Sequence, residues 1–123
     1  ENNHSPVTLW GSGSPMREFL FVEDLAEAVI FSLENNLSEN LYYVGTGKDI
    51  SIKTLAETIQ KIVGHQGYIV WDSTKPDGTP RKLMDVSKMK SMGWTHSAPL
   101  SDGIQKTYDW FLENINNFKE VKL

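Results

Sequence analysis

The stretch Val22-Glu-Asp-Leu-Ala-Glu-Ala-Val-Ile-Phe-Ser-Leu-Glu34 decides the fold class of this 123-residue chain. Its apolar residues recur at the three- and four-residue spacing of one helix face, and two carboxylates in its first turn favour the helix dipole. The same apolar spacing recurs in 52–63 and in 100–115. We therefore predict three amphipathic helices, the second with Ser51 as its N-cap and Gly64 as its stop.

Short segments rich in aromatic and β-branched residues lie between these helices and are bounded by glycines. They predict strands at Val7–Trp10, Glu18–Val22, Leu41–Val44 and Tyr68–Trp71, with a weaker helical turn at Ser87–Met92. Strands and helices alternate along the chain. The predicted fold class is therefore α/β in the mixed α+β sense, with a small sheet and about three helices.

The composition excludes several classes of function. Apolar residues make up 39% of the chain and the net charge is −4, which allows a core and disfavours binding to nucleic acid or to an anionic membrane. There is no apolar run of the roughly 18 residues that cross a membrane and no signal peptide, so we expect a cytoplasmic protein. Cysteine is absent and the three histidines are far apart, so no metal site is predicted.

The segment Trp10-Gly-Ser-Gly-Ser-Pro-Met-Arg-Glu-Phe19 is the first candidate for ligand binding. Gly11 and Gly13 permit a tight turn after a strand, although the third glycine of a dinucleotide-binding loop is missing. Arg17 offers a fork of donors to a phosphate or pyrophosphate, and Trp10 offers a flat face to a base or a sugar. The structural alternative places Trp10 in the core and pairs Arg17 with a carboxylate.

The segment Asp72-Ser-Thr-Lys-Pro-Asp-Gly-Thr-Pro-Arg-Lys82 is the second candidate. Between residues 75 and 90, five basic side chains stand against two acidic ones, a local excess of +3 in an acidic chain. Such a local excess fits a small anionic ligand better than a polymer. The alternative is a solvated turn in which Asp77 only shapes the backbone.

Other patterns carry no catalytic chemistry. Val44-Gly-Thr-Gly-Lys48 lacks the second half of a phosphate-binding loop, and we interpret it as a connection between a strand and a helix. His65 and His96 are interpreted as surface or packing residues, because no Ser/His/Asp set accompanies them. No tyrosine is followed by a lysine four residues later. We therefore predict no catalytic residue and no cofactor-binding residue in this chain.

Four strings in the chain resemble the C-terminal part of the GDP-L-fucose synthases, a family of extended short-chain dehydrogenases/reductases. They are Trp10–Phe19, Val44–Gly47, Lys75–Leu83 and Gly93-Trp94, in the same order and at similar spacing. The Lys75-Pro-Asp-Gly-Thr-Pro-Arg-Lys-Leu83 string is the most particular to this family. General features of the other strings occur across nucleotide-sugar epimerases and dehydratases.

The resemblance implies that two domains have separate roles. In that family an N-terminal Rossmann domain binds NADP(H) and carries the residues that epimerise and reduce GDP-4-keto-6-deoxy-mannose. A C-terminal lobe binds the nucleotide sugar. The chain is thus expected to be that nucleotide-sugar-binding lobe, residues 1–123, without the Rossmann domain and inactive alone. Its expected partners are the GDP-sugar, its own Rossmann domain and a second copy in a homodimer.

The residues that match the family's substrate-contacting positions follow from the same resemblance. They are Trp10, Arg17 and Asp77, with Lys75, Arg81 and Lys82 in the matching loop. Two other interpretations stay open at this point. One is the same lobe of another nucleotide-sugar epimerase or dehydratase, and the other is a free-standing sugar-nucleotide-binding module that catalyses no reaction.

Overall fold

A computed structural model describes residues 4–117 of the chain. Its elements follow in the order β1 (Val7–Trp10), β2 (Met16–Glu18), α1 (Val22–Glu34), β3 (Asp49–Ser51), α2 (Ile52–Val63), β4 (Ile69–Asp72), β5 (Arg81–Lys82), α3 (Ser87–Ser91) and α4 (Leu100–Asn114). A 3₁₀ turn at Ile115–Asn117 follows the last helix. The mixed α/β fold class is confirmed.

The strands form two small sheets rather than the single one expected. Strands β1 and β4 pair in parallel, while β2 is the central strand of a three-stranded sheet. In that second sheet β2 runs antiparallel to β3 and parallel to β5. Residues 11–15, between β1 and β2, therefore connect the two sheets, which places the first candidate segment where they meet.

The helices begin and end where their local chemistry predicts. The hydroxyl of Ser51 accepts a hydrogen bond from the Thr54 N–H at 3.0 Å, which satisfies one of the open donors at the start of α2. Gly64 ends the same helix in the left-handed conformation, with φ of 70°. The predicted turn at Ser87–Met92 is the short helix α3.

The buried core is small and lies between α1, α3 and the chain after α3. Its buried cluster consists of Ala28, Met89 and Trp94, and Val86 is a further buried apolar residue. Leu20, Phe31, Tyr42 and Val44 are partly buried and pack against this cluster. The chain around 41–44 is thus held to the core by its alternate side chains.

Two predicted strands were wrong in their placement. The strand predicted at Glu18–Val22 lies earlier, at Met16–Glu18, because β3 pairs with these three residues and β5 with the first two of them. Val22 already begins α1. Leu41–Val44 forms no strand in the described part of the chain. Its side chains still alternate as in a strand, with Leu41 and Tyr43 exposed.

Candidate anion-binding site

The Gly-Ser-Gly turn after β1 is shaped by two close approaches. Gly11 has φ of 83°, and a Cβ there would lie 2.4 Å from the Asp77 carboxylate. Gly13 has φ of 76°, and a Cβ there would lie 2.7 Å from the indole ring of Trp71. Both positions therefore require glycine for conformation and for space. The turn lies directly against β4 and the loop that follows it.

Trp10 is an exposed residue at the end of β1 and not a core residue. Its side chain is 73% exposed, and the ammonium group of Lys75 lies 5.4 Å from the centroid of its ring. An exposed indole beside a cation offers a flat apolar face next to a positive charge. Of the two interpretations that the sequence left open, the core position is excluded, while the role of Trp10 in binding stays a prediction.

Asp77 closes the loop after β4 onto the glycine turn. Its carboxylate accepts hydrogen bonds from the Ser12 backbone N–H at 2.6 Å and from the Ser12 hydroxyl at 2.7 Å. These bonds, the backbone one first, hold the pKa of Asp77 below its ordinary value. We call this pair the Ser12–Asp77 latch. Both carboxylate oxygens have a protein donor here, so Asp77 positions the loop in this structure.

Arg17 lies within β2 rather than at the end of a loop. Its guanidinium donates to the carbonyl oxygens of Met16 at 2.7 Å and of Thr79 at 2.6 Å. The second bond ties β2 to the same loop that the Ser12–Asp77 latch holds. Neither partner is a carboxylate, so the charge of Arg17 is not neutralised by these bonds and several of its five N–H donors remain for a ligand.

The three-stranded sheet separates its charges onto two faces. Arg17 stands opposite Ile50 on β3 and opposite Lys82 on β5, which places these three side chains on one face. Glu18 stands opposite Asp49, and since side chains alternate along a strand these two carboxylates project from the other face. We call the first of these the basic face of the sheet.

Arg81 belongs to the acidic side of the sheet and is already paired. Its guanidinium makes two hydrogen bonds to the Asp49 carboxylate, at 2.5 and 3.2 Å. The Arg81 hydrogen bond is the main cause that lowers the pKa of Asp49. The sequence analysis grouped Arg81 and Lys82 together, but the structure gives them different surroundings. Arg81 is paired with Asp49, whereas Lys82 lies on the basic face.

The basic face carries charge that the described residues do not neutralise. Within residues 4–117 the ion pairs are Arg81 with Asp49 and Lys88 with Glu39. Arg17 and Lys82 thus face the same side without a carboxylate partner in the described chain. Such an arrangement can bind an anion, and the fork of a guanidinium suits a phosphate or pyrophosphate.

Glu18 fixes the loop that follows residue 44. Its carboxylate accepts from the Gly47 N–H at 2.5 Å, the Thr46 hydroxyl at 3.3 Å and the Met84 N–H at 3.3 Å. The Val44–Lys48 segment was interpreted as a connection, and it leads into β3 and then α2. Its last residue, Lys48, lines one cavity together with Arg17. The sequence interpretation did not single out Lys48.

The chain before α4 is anchored by a buried carboxylate. Asp24 on α1 is 2% exposed and accepts from the Ser97 N–H at 2.9 Å, the Ser97 hydroxyl at 2.8 Å and the Ala98 N–H at 3.2 Å. Burial raises the pKa of Asp24, but these hydrogen bonds lower it by more, so it lies below the ordinary value. This contact also fixes the neighbouring residue, His96.

Two kinds of feature are absent from the described residues. No helix among residues 4–117 is long and apolar enough to cross a membrane. The same residues contain no group of three or more His, Asp or Glu side chains placed to hold a metal ion.

Comparison with known proteins adds the family. The model of the NAD dependent epimerase/dehydratase family matches residues 1–45. The chain is 49% identical over 116 residues to GDP-L-fucose synthase 1 of Arabidopsis thaliana, covering 94% of this chain and 36% of that protein. It is 48% identical over 126 residues to GDP-L-fucose synthase of Escherichia coli K12, covering 95% of this chain and 39% of that protein.

Solved structures give the same result. A GDP-L-fucose synthetase from Naegleria fowleri, bound to NADP, matches with a TM-score of 0.85 at 30% identity, over 90% of this chain and 36% of that one. UDP-glucose 4-epimerase of Thermotoga maritima matches with a TM-score of 0.80 at 22% identity, which shows a shared fold. The chain spans a little over a third of the length of the curated relatives it matches.

These findings define the class of protein that the chain resembles: residues 1–45 match the model of the NAD dependent epimerase/dehydratase family. Over nearly its whole length the chain is similar to GDP-L-fucose synthases. The family resemblance stated from the sequence is confirmed.

Proposed function

We propose that this chain is the nucleotide-sugar-binding part of an enzyme that makes GDP-L-fucose from GDP-4-keto-6-deoxy-mannose by epimerisation and NADPH-dependent reduction. The observation that carries the proposal is the basic face, on which Arg17 and Lys82 stand side by side without a carboxylate partner among residues 4–117. The high identity to GDP-L-fucose synthases supplies the identity of the anion.

The residues divide the recognition of the ligand between them. Arg17 holds the diphosphate with the guanidinium donors that its bonds to Met16 and Thr79 leave open, and Lys82 adds a second charge. Trp10, exposed beside Lys75, covers the base or the sugar with its ring. Asp77 contributes by holding the loop through the latch to Ser12. Arg81 stays paired with Asp49 and makes no ligand contact.

Binding of this kind contributes to catalysis without a catalytic residue. Contacts to the nucleotide hold the sugar in the orientation that the reaction needs. The binding energy of the diphosphate therefore lowers the activation free energy at a sugar carbon that these residues do not contact. The reacting groups and NADP(H) belong to a separate N-terminal Rossmann domain in this proposal. NADP is bound in the Naegleria fowleri synthetase, of which this chain covers 36%.

An exposed apolar face supports a partner domain of this kind. On α1, Val22, Leu25, Val29, Ile30 and Leu33 are exposed, and Leu33 is 82% exposed. Leu41 and Tyr43 are exposed on the unpaired segment that follows the same helix. A row of exposed apolar side chains along one helix is typical of an interface. We propose that the Rossmann domain covers it; a cytoplasmic location and a homodimer stay predictions.

Calorimetric titration with GDP and UDP tests the proposal, both on this chain and on the full enzyme. GDP is expected to bind more tightly than UDP, and Arg17→Ala is expected to weaken GDP binding. Arg81→Ala is the matched control because it removes the same group from the opposite face of the sheet. Equal binding of UDP and GDP would favour another nucleotide-sugar epimerase or dehydratase.

A turnover assay separates the enzyme part from a free-standing module. The 123-residue chain alone is expected to oxidise no NADPH in the presence of GDP-4-keto-6-deoxy-mannose, since no catalytic residue is assigned within it. The full enzyme is expected to oxidise it. Turnover by the pure chain would contradict the division of labour between two domains.

A further inference from the structure

A cavity of about 290 Å³ opens on the basic face, beside Arg17. Arg17, Lys48, His96 and Thr46 line it together with apolar residues such as Phe19, Ile50 and Leu100. Three separate parts of the chain thus bring cationic or N–H-donating groups to one small space: β2, the loop before β3, and the segment before α4. None of the described residues that line it carries a carboxylate.

Two carboxylates lie near this cavity, and both are already bound. Glu18 accepts from Gly47 and Thr46 on the other side of the loop. Asp24 lies close enough to His96 for an attractive interaction, but its oxygens accept from Ser97 and Ala98. Both carboxylates already accept hydrogen bonds from other groups of the protein. The cationic groups that line the cavity therefore remain available to an anion.

Lys48 and His96 are held in place by the backbone around them. The loop before β3 is fixed by Glu18, and the Lys48 N–H donates to the Thr46 hydroxyl at 3.2 Å. The ammonium group of Lys48 makes no ion pair within residues 4–117. His96 is fixed by the bonds of its neighbour Ser97 to Asp24, and an imidazole offers at least one N–H donor in either protonation state.

We propose that this cavity is a subsite for a phosphoryl group, with Lys48 and His96 as binding residues beside Arg17. Arg17 supplies a fork of donors, Lys48 a point charge and His96 a directional N–H, which together match the several oxygens of one phosphate. The cavity is at the small end of the volumes that hold small molecules, which fits a phosphate rather than a whole nucleotide. The proposal rests on the proposed function only for the identity of the molecule that carries the phosphate.

The test is calorimetric titration of the full chain with inorganic pyrophosphate and, separately, with GDP. The variants are Lys48→Gln and His96→Phe, which remove a charge and an N–H donor. Lys61→Gln is the matched control, because it changes the net charge by the same amount from α2, outside this cavity. Circular dichroism and thermal midpoints equal to the parent's restrict the comparison to folded protein.

Each of the two variants is expected to weaken pyrophosphate binding about fivefold, the size of a well-formed charge contact near the surface. Lys61→Gln is expected to change it less than about twofold at 0.1 M salt, because distant charges are screened. Unchanged binding in both variants, an equal loss in the control, or no saturable pyrophosphate binding by the parent would overturn the subsite.

The GDP titration keeps this proposal separate from the proposed function. If GDP binds and depends on Arg17 but not on Lys48 or His96, the subsite is wrong and the proposed function stands. If pyrophosphate binding depends on Lys48 and His96 while GDP binds no more tightly than pyrophosphate, the subsite stands and recognition of a guanine nucleotide is wrong.

Discussion

The buried carboxylate of Asp24 gives a sharp test of how the segment before α4 is held. Asp24→Ala would leave two backbone N–H groups, those of Ser97 and Ala98, and the Ser97 hydroxyl without their acceptor. A buried donor left without a partner costs about 1–3 kcal/mol. We take the lower value for each of the three groups, because the segment is exposed and the groups can in part bond to water instead. The expected loss in the free energy of unfolding is then about 3 kcal/mol.

This loss is a large part of the stability of a small domain, which is about 5–15 kcal/mol. It should appear in urea unfolding as a lower midpoint with an unchanged slope, and in thermal unfolding as a decrease of roughly 10 °C. Glu27→Ala is the matched control, because Glu27 is an exposed carboxylate on the same helix. A loss of unfolding free energy below about 0.5 kcal/mol in Asp24→Ala, or an equal loss in Glu27→Ala, would show that Asp24 does not hold this segment.

The same residue predicts the direction of the pH dependence. The pKa of Asp24 is lower in the folded chain than its ordinary value, because the hydrogen bonds outweigh the effect of burial. Its contribution to stability is therefore present above the ordinary carboxyl range and is lost as pH falls through the folded-state pKa. Urea titrations between pH 7 and pH 3 should show this loss in the parent and a smaller one in Asp24→Asn. Equal slopes in both proteins would contradict it.

Three further predictions follow from the site. Arg17→Ala should weaken GDP binding by roughly 1.5–3 kcal/mol in calorimetry, and Arg17→Lys should restore it only in part, because an ammonium cannot form the two-bond fork; full rescue by lysine would exclude the fork. Gly13→Ala should lower the thermal midpoint and shift tryptophan fluorescence, since the new Cβ meets the Trp71 ring at 2.7 Å; parent-like behaviour of both would contradict this packing. Asp77→Ala should weaken GDP binding by loosening the loop after β4, while Asp77→Glu should not restore it; unchanged affinity in Asp77→Ala would contradict the role of the latch to Ser12.

The helices could be predicted closely because their signals are local. The apolar spacing in 22–34 and 52–63, the cap at Ser51 and the stop at Gly64 each act within a few residues. Strands β3 and β5 could not be predicted, because three and two residues are too short to show a period. They exist through their pairing with β2, which is a property of distant parts of the chain.

The sequence indicated which residue types could form the site, but it did not reveal the contacts between them. Trp10 and Arg17 were identified from their chemistry, and the structure places Trp10 at the surface and ties Arg17 to the loop after β4. Asp77 bonds to Ser12 across 65 positions, which no local pattern reveals. The different roles of Arg81 and Lys82, which are adjacent, depend on the register of β5 against β2 and become visible only in the folded chain.

In the proposed function, the basic face of the three-stranded sheet holds the diphosphate of a GDP-sugar. The decisive measurement is a crystal structure of the full enzyme with GDP bound. We expect phosphate oxygens within hydrogen-bond distance of the Arg17 guanidinium and near the Lys82 ammonium, while Arg81 stays paired with Asp49. A diphosphate bound elsewhere, with no contact to Arg17 or Lys82, would overturn this assignment.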